Sequence, residues 1–443
     1  MKSSLTKVLL LLLPLPLAIM LVCPAMYARA ETDTGTKLIV DIIDGNEVER
    51  NNAYGVISKK TPLELVPFII KNIEGKRDLE IQKRLLFALK LYPVRDTFPQ
   101  WLALLKSTNS FPVKIAIIDF IITSNDRRIV MPLVDELNSP FATVRERAIL
   151  GLKKIGDDRM FPYVLNMAHD PDPIKRVYAL EAINHLYDRR VRGLLNEMLK
   201  DDNKSVRYYV LKCAENNRLA EMLPSIRTIA INDANWEVRI KAIDILREFN
   251  DTRAIYVLVR CLTDGNRDIR YATAKALYYF RAASTAYAVS GQLWKEDDDE
   301  IKQLLIDTLV RLKNGGGFRG LEKVLAQDKN VSLRIQAAYA IGAIGDARGL
   351  SLLMSALDDS NFRVQAEACF SLGLFRAQRG SVVRLLNVVN NETNLYVRTS
   401  ALYSLRRMGD RTALAPLFDL YTSETDPVFK EKLRVTVRNF ITK

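Results

Sequence analysis

Residues 333–348 read LRIQAAYAIGAIGDAR, the clearest copy of a pattern that recurs along the chain. It opens with an apolar–basic step, Leu333-Arg334, carries small and apolar residues at helical spacing, and closes with the letters GDAR. Such spacing predicts an amphipathic helix, and a glycine followed by an aspartate predicts the turn that ends it. The stretch therefore predicts one helix and the connection to a second.

The same apolar–basic step recurs through most of the chain. Successive copies lie 30 to 33 residues apart when Gln365, which keeps the position without the charge, is counted. A fixed period of this length is the signature of a repeat architecture. The basic members of the row are Lys114, Arg145, Lys175, Arg207, Arg239, Arg270, Lys302, Arg334 and Arg398.

Each copy predicts a pair of helices. Val238, Ala242 and Leu246 follow the helical spacing in the first helix of one copy, and Leu258 follows it in the second. Loops that contain Asp or Asn join the copies, and these side chains can accept hydrogen bonds from the amides that open the next helix. Alternation with a period of two is absent from the sequence. Because one helix pair cannot bury its apolar faces alone, the sequence predicts an all-α solenoid (a superhelix) of about eleven or twelve stacked pairs over residues 61–443.

The period and the pattern resemble the short HEAT-like repeats of the bilin-lyase type, and the resemblance covers residues 61–443. It implies an armadillo-like fold in which the basic residue near the start of each first helix stacks along the array and pairs with Asp in adjacent loops. Asp201, Asp233 and Asp264 stand in such loops. The row from Lys114 to Arg398 is therefore interpreted as a structural ladder and not as a ligand-binding site, a role that the several donors of a planar guanidinium suit.

Residues 1–30 have the features of a secretory signal peptide. Lysines precede an apolar run at 8–22, and the letters ARA at 28–30 supply a cleavage site. We expect cleavage after Ala30 and export to the periplasm or the cell envelope. Residues 31–60 are polar and mixed, which predicts either a linker or an N-terminal cap.

The cysteines leave one alternative open for the N-terminus. The letters MLVC that end at Cys23 resemble the lipobox of bacterial lipoproteins, so a lipid anchor at Cys23 is the alternative to simple export. After cleavage at Ala30 the remaining thiols are Cys213, Cys261 and Cys369, and three cysteines cannot form a closed set of disulfides. Each lies in an apolar helical stretch, which predicts a small buried hydrophobe.

Composition excludes several classes of protein. Apolar residues make up 48% and charged residues 26%, which excludes a disordered chain, a collagen-like chain and a multi-span membrane protein. The formal net charge is +13. Part of this charge belongs to the row, and further arginines cluster in turns at 127–128 and 189–190. A basic strip can bind phosphate groups, so binding to an anionic surface or to nucleic acid stays open as an alternative.

Aromatic residues suggest a groove. Tyr208-Tyr209 and Tyr278-Tyr279 are adjacent pairs, and Trp236 and Trp294 are the other candidates for such a groove. Because adjacent residues of a helix point about 100° apart, one Tyr of each pair is predicted to pack and the other to be exposed. Exposed aromatics on a repeat surface favour partner binding.

Two other patterns favour turns over ligand sites. The acidic run at 296–300 lacks the spacing and the glycine of a calcium loop, so a solvated turn before a helix is predicted there. The three glycines at 315–317 have no preceding strand and no following Gly-Lys-Ser/Thr, so a flexible turn is predicted instead of a phosphate loop.

No catalytic, cofactor-binding or metal-binding residues are predicted. His169 and His185 are the two histidines and lack the spacing of a helical zinc site, and the sequence has no Gly-x-Ser-x-Gly elbow. We therefore expect a scaffold without enzyme activity or cofactor, which mediates protein–protein interaction in the cell envelope. A bilin-lyase-type enzyme or enzyme subunit is one alternative, and a basic solenoid that binds an anionic surface or nucleic acid is the other.

Overall fold

A computed structural model describes residues 35–60, 63–75, 78–156, 158–186, 188–376 and 378–442. The chain divides into two compact units, Met1–Leu195 and Asn196–Lys443. The signal peptide and Cys23, predicted in residues 1–30, lie outside the described residues. Within the described ranges every regular element is a helix, which confirms the all-α prediction.

The described part of the first unit starts with two helices, one at 35–43 (α1) and the next at Glu47–Lys60 (α2). The helices that follow share the alternation of first and second repeat helices, and the boundary between the units falls inside the last of them. They are α3 Val66–Gly75, α4 Leu79–Lys90, α5 Val94–Ser107, α6 Phe111–Ile121, α7 Val130–Glu136, α8 Ala142–Ile155, α9 Phe161–Ala168, α10 Pro173–His185 and α11 Arg192–Met198.

The second unit continues the same alternation, with even numbers for the first helix of each repeat and odd numbers for the second. Its helices are α12 Lys204–Asn216, α13 Leu223–Asn232, α14 Trp236–Glu248, α15 Ile255–Cys261, α16 Arg267–Phe280, α17 Ala286–Lys295, α18 Asp299–Leu312, α19 Phe318–Gln327, α20 Val331–Ile344, α21 Gly349–Ala356, α22 Phe362–Leu372, α23 Arg379–Asn391, α24 Leu395–Met408, α25 Leu414–Ser423 and α26 Pro427–Thr442.

The core lies between stacked helices of neighbouring repeats. In the second unit α12 packs on α14 and α14 on α16, and the even helices continue this stack as far as α26. In α14 the buried residues include Val238, Ala242 and Leu246, and in α15 they include Leu258, as the spacing predicts. Each helix therefore buries one stripe against its own partner and another against the next repeat.

Polar side chains in the loops begin the first helices. Asn203 Oδ1 accepts a hydrogen bond from the amide of Ser205 at 2.9 Å, and Asn266 Oδ1 accepts from the amide of Asp268 at 2.8 Å. Both residues have extended backbone conformations typical of an N-cap. The predicted capping role of the loop asparagines is confirmed at these two helices.

Residues 35–60, for which the sequence left a linker and a cap open, are helical in the structure. Ile42 and Ile57 are fully buried. Arg84 of α4 donates through Nη1 to the carbonyl of Ile43 at 2.9 Å, and the Tyr54 hydroxyl donates to the carbonyl of Arg84 at 3.3 Å. These contacts attach α1 and α2 to the first repeat helices.

Candidate protein-binding surfaces

The basic row occupies one fixed position in the repeat. Arg270 shows the arrangement: its Nη1 donates to the carbonyl of Asp264, in the loop before its own helix, at 3.0 Å. Its Nε and Nη2 donate to the carboxylate of Glu296, in the loop before the next first helix, both at 2.9 Å. One guanidinium therefore joins two consecutive loops. The ion pairs of this kind in the second unit are Arg207–Asp233, Arg239–Asp264, Arg270–Glu296, Lys302–Asp328, Arg334–Asp359 and Arg398–Glu424.

The first unit modifies the pattern. Lys114 forms its ion pair with Glu136, at the end of α7. Arg145 pairs with Glu181, which lies within α10 instead of in a loop, and its guanidinium carbon lies 3.7 Å from the ring centroid of Tyr178. A helix supplies the acid in both cases: the second helix of the same repeat for Lys114, and the next first helix for Arg145.

One member of the predicted row is displaced by a residue. Lys175 is 45% exposed along its side chain and pairs with Asp170 in its own loop. Arg176 instead donates through Nη1 to the carbonyls of Asp170 and Pro171, at 2.9 and 3.0 Å. Arg176 therefore occupies the position assigned to Lys175. The reason is that Ile174, the apolar residue of the step, is exposed, whereas the matching residue of the other steps is buried.

Gln365 keeps only half of the contacts of the row. Its Nε2 donates to the carbonyl of Asp359, in the loop before its own helix, at 2.8 Å. Glu392, in the next loop, accepts hydrogen bonds from Thr393 and from the amide of Asn394. An amide side chain thus replaces the loop contact of the arginine without the charge.

The acidic run at 296–300 forms the exposed turn before α18, as predicted, but its first acid is not solvated. Glu296 is buried and accepts hydrogen bonds from Arg270 and from Gln292. Burial alone would raise the pKa of Glu296, but these hydrogen bonds outweigh burial and hold the pKa below its ordinary value. Asp298 begins α18 by accepting from the amide of Ile301 at 3.0 Å. Glu296 is thus the acid of the ladder and Asp298 the N-cap of α18, while the other three acids of the run are exposed.

The glycines at 315–317 form an ordered turn of 3-10 helix before α19. The turn is as predicted, but its glycines serve close packing. A Cβ at Gly317 would lie 2.8 Å from Leu309 Cδ2.

One arginine of each basic cluster in the turns pairs with the aspartate of its own turn. Arg128 and Arg190 each form a forked contact with the Asp two residues earlier. Arg348 does the same with Asp346, whose pKa falls to about 2, first because of the side-chain hydrogen bonds from Arg348. Each of the three guanidinium groups also lies over a phenylalanine ring, at 4.3 to 5.3 Å from its centroid. These arginines brace the turn between two helices.

A first aromatic cleft lies between α12 and α14. It has a volume of about 530 Å³, and Tyr208, Tyr209 and Trp236 all line it. Trp236 is 42% exposed. The two tyrosine rings lie 6.4 Å apart with an interplanar angle of 71°. The prediction that one of these tyrosines packs while the other is exposed is wrong, because both rings are half-buried and edge-to-face beside the same opening.

The second tyrosine pair behaves as predicted. Tyr279 is exposed, whereas Tyr278 is half-buried beneath the guanidinium of Arg311, 4.0 Å from the ring centroid.

Trp294 belongs to a different cleft, of about 780 Å³, between α17, α19 and α21. Tyr287, 76% exposed, lines the same cleft. The aromatic residues that the sequence suggested as one groove are therefore divided between the two helix rows.

The cysteines lie in the core. Cys213, Cys261 and Cys369 are free thiols and all three are buried, which confirms that they act as small hydrophobes. Burial raises the pKa of Cys213 and of Cys369 to about 12.

His169 contacts the carbonyl of Leu165 through Nδ1 at 2.9 Å. In the described ranges, no three His, Cys, Asp or Glu side chains gather as a metal site would require.

Among the helices of residues 35–442 that the structure describes, none combines the length and the apolar character needed to cross a bilayer.

Comparison with protein families identifies the repeat. HEAT repeats match residues 130–215, 223–310, 318–406 and 350–436, which together cover well over half of the chain. The chain belongs to the HEAT-repeat family. The stacked helix pairs are thus HEAT repeats, and the ladder joins the loops between them.

Solved structures resemble this HEAT-repeat protein at low identity. The karyopherin Kap121p, bound to the extreme C-terminus of the protein phosphatase Cdc14p, is similar over 93% of this chain, with 13% identity and a TM-score of 0.49. The HEAT-repeat chain covers 52% of that karyopherin chain, about half its length. The complex of CpcE and CpcF of a phycocyanin lyase from Nostoc is similar over 56% of this chain and 94% of its own, with 15% identity and a TM-score of 0.29. No curated protein sequence matches the chain.

Proposed function

We propose that this HEAT-repeat protein is a scaffold that binds a protein partner through the cleft between α12 and α14. The observation that carries the proposal is the exposure of Trp236 beside Tyr208 and Tyr209 around one opening. Large aromatic side chains in a concave site supply much of the binding energy of protein interfaces. Here they stand outside the buried stripes that hold the repeats together.

The rim of this cleft carries balanced charge. Lys204 Nζ pairs with Glu237 Oε2 at 2.7 Å, and Lys241 Nζ pairs with Glu215 Oε2 at 2.5 Å. Asp244 also lines the cleft. A polar rim around an aromatic centre is the usual anatomy of a protein interface, and balanced charge favours a protein partner over a polyanion.

We further propose that the protein works outside the cytoplasm and by binding rather than by catalysis. The support for export is the lysine-flanked apolar run at 8–22 and the cleavage site at 28–30. N-terminal sequencing of the protein from its native cell tests this part. A start at Glu31 supports export after cleavage, a start at Cys23 with added acyl mass supports the lipid anchor instead, and an intact Met1 in the cytoplasm overturns export.

The partner is tested by crosslinking and affinity capture with the full chain from native cells. We expect that one or more proteins crosslink to wild type and that Trp236→Ala reduces this capture by roughly tenfold, as truncation of a central aromatic does. Tyr256→Ala is the matched control, because Tyr256 is 59% exposed on α15 and lines none of the α12/α14 cleft. Capture that is equal for the wild type and Trp236→Ala would reject this cleft, and the absence of any crosslinked protein would reject the scaffold itself.

A further inference from the structure

A third cleft, between α24 and α26, has a different chemistry. It has a volume of about 540 Å³ and is lined by Arg406, Arg407 and Arg411 together with Tyr403. No acidic residue is among the side chains that line it. This distinguishes it from the cleft between α12 and α14, where acids and bases are both present.

These three arginines differ from the ladder arginines in their lack of an acidic partner among the described residues. In the part of the chain that the structure describes, none of the three guanidinium groups forms an ion pair, whereas Arg398 on the same helix α24 pairs with Glu424. Asp410, the acid next to Arg411, accepts instead from the amide and the hydroxyl of Thr412, at 2.9 and 2.7 Å. Three positive charges thus face one concavity without a counter-charge from the described part of the fold, and their donors are available to an anionic ligand.

Stacking contacts hold Tyr403 and Arg406 in place at one side of this cleft. Tyr403 is 42% exposed, and its ring stacks on Phe370 of α22, with the centroids 5.8 Å apart and the planes at 12°. The guanidinium carbon of Arg406 lies 5.3 Å from the centroid of Tyr403. A guanidinium held over a ring still presents its N–H edges for hydrogen bonding, so Arg406 is oriented and available at the same time.

We propose that the α24/α26 cleft binds a carboxylate-rich segment of a protein partner. Planar guanidinium forks match carboxylates in a bidentate manner, and the stacked tyrosine offers an apolar wall to the peptide chain. The site is a cleft with three arginines and not a flat basic face, which favours a peptide over a membrane surface or a nucleic acid. The inference rests on the proposed scaffold function and names the chemistry of the partner.

The test is a fluorescence-anisotropy titration of the full chain with a labelled peptide of alternating Asp and Glu. We expect saturable binding of this peptide and none of its Asn/Gln counterpart. The double variant Arg407→Gln/Arg411→Gln should weaken binding by roughly tenfold or more, since each lost fork removes charge-assisted hydrogen bonds. Both arginines are exposed, so melting temperature and circular dichroism should match those of the wild type.

The matched control is Arg253→Gln, an exposed arginine in the corresponding turn of another repeat, which should change the affinity less than about twofold. Equal peptide affinity of the wild type and the double variant would overturn the proposal. Binding of phosphatidylglycerol vesicles without binding of the peptide would overturn it too, as would displacement of the peptide by inorganic phosphate at equal concentration. The titration measures binding at the α24/α26 cleft, whereas the crosslinking capture tests the α12/α14 cleft. A failure of one experiment is therefore distinguishable from a failure of the other.

Discussion

Arg207 and Asp233 form two parallel hydrogen bonds between consecutive repeats, from Nε to Oδ2 and from Nη2 to Oδ1, both 2.7 Å long. Only 12% of the arginine side chain and 2% of the aspartate side chain are exposed. Nη1 of Arg207 also donates to the carbonyl of Asp201 at 2.7 Å, while Asp233 Oδ1 accepts from the amide of Asn235. The pair therefore joins two loops and also holds each loop in shape.

Removal of this arginine should destabilise the second unit. We expect Arg207→Ala to lower the free energy of unfolding by about 2–3 kcal/mol, because Asp233 would remain buried without its partner. Lys204→Ala, on the same helix, is the control: its pair with Glu237 is about half exposed and should contribute little. Thermal melting measures both variants, and equal melting temperatures would show that the ladder does not stabilise the fold.

The ladder should make stability depend on pH through Glu296. Its pKa is lower in the folded chain than its ordinary value, so the unfolded chain takes up the proton first and stability is lost as the pH falls through the folded pKa. We expect Glu296→Gln to melt below wild type at neutral pH, and the difference to shrink below about pH 4.3, the ordinary glutamate pKa. Melting curves recorded across this range measure the effect. A difference that stays constant down to strongly acidic pH would exclude the carboxylate as its source.

Glu367 should show the opposite sign. Burial raises the pKa of this carboxyl, and the hydrogen bond from the Ser371 hydroxyl, 3.3 Å long, lowers it only in part. The charged form therefore costs stability above the folded pKa, and the cost disappears below the unfolded pKa. We expect Glu367→Gln to raise the melting temperature at neutral pH by roughly 2 °C, with no gain at acidic pH. Glu322→Gln, at an exposed position, is the control and should leave the melting temperature unchanged at both neutral and acidic pH. A lower melting temperature of Glu367→Gln at neutral pH would contradict the destabilising effect of the buried charge.

Gly342 should tolerate no side chain. A Cβ at this position of α20 would lie 2.7 Å from Ser371 Cβ and 3.0 Å from Ser371 Cα on α22. We expect Gly342→Ala to destabilise by about 1–3 kcal/mol through overpacking. Gly291, within α17, has open space around the corresponding atom, so Gly291→Ala should instead stabilise by about 0.5–1 kcal/mol. Thermal melting decides, and the same sign for both substitutions would refute the close contact.

The thiols should be unreactive in the folded protein. The pKa of Cys213 and of Cys369 is raised to about 12 by burial, and that of Cys261 to about 11 for the same principal reason. Little thiolate forms at mildly alkaline pH, so we expect no reaction with a disulfide reagent until the chain unfolds. Protein in denaturant is the positive control, and rapid labelling of the native chain would contradict the burial of these residues.

Periodicity in the sequence predicted the parts of the fold that repeat. The apolar–basic step located Arg207, Arg270 and Arg334, because a residue that recurs at a fixed interval must meet the same surroundings in each repeat. It misplaced one member, Lys175, since two basic residues are adjacent there and the sequence does not show which one faces the loop.

The clefts were harder to foresee. Tyr403 belongs to α24, Arg411 to the following turn and Asn439 to α26, and nothing in their spacing brings them to one concavity. A cleft that forms only once, from residues of different repeats, depends on the packing of particular side chains. It therefore has no repeating pattern in the sequence from which it could be predicted.

Each loop-to-loop contact of the ladder is complete within one repeat length. Asp201 holds the same place in its loop as Asp233 does one repeat later, since both accept from the amide two residues on. A tandem duplication of the gene segment for residues 201–232 would therefore offer Arg207 a new copy of Asp201 in place of Asp233. The array can lengthen or shorten by whole segments in evolution without the invention of a new junction, while a gain or loss of a few residues would leave an arginine facing the wrong loop.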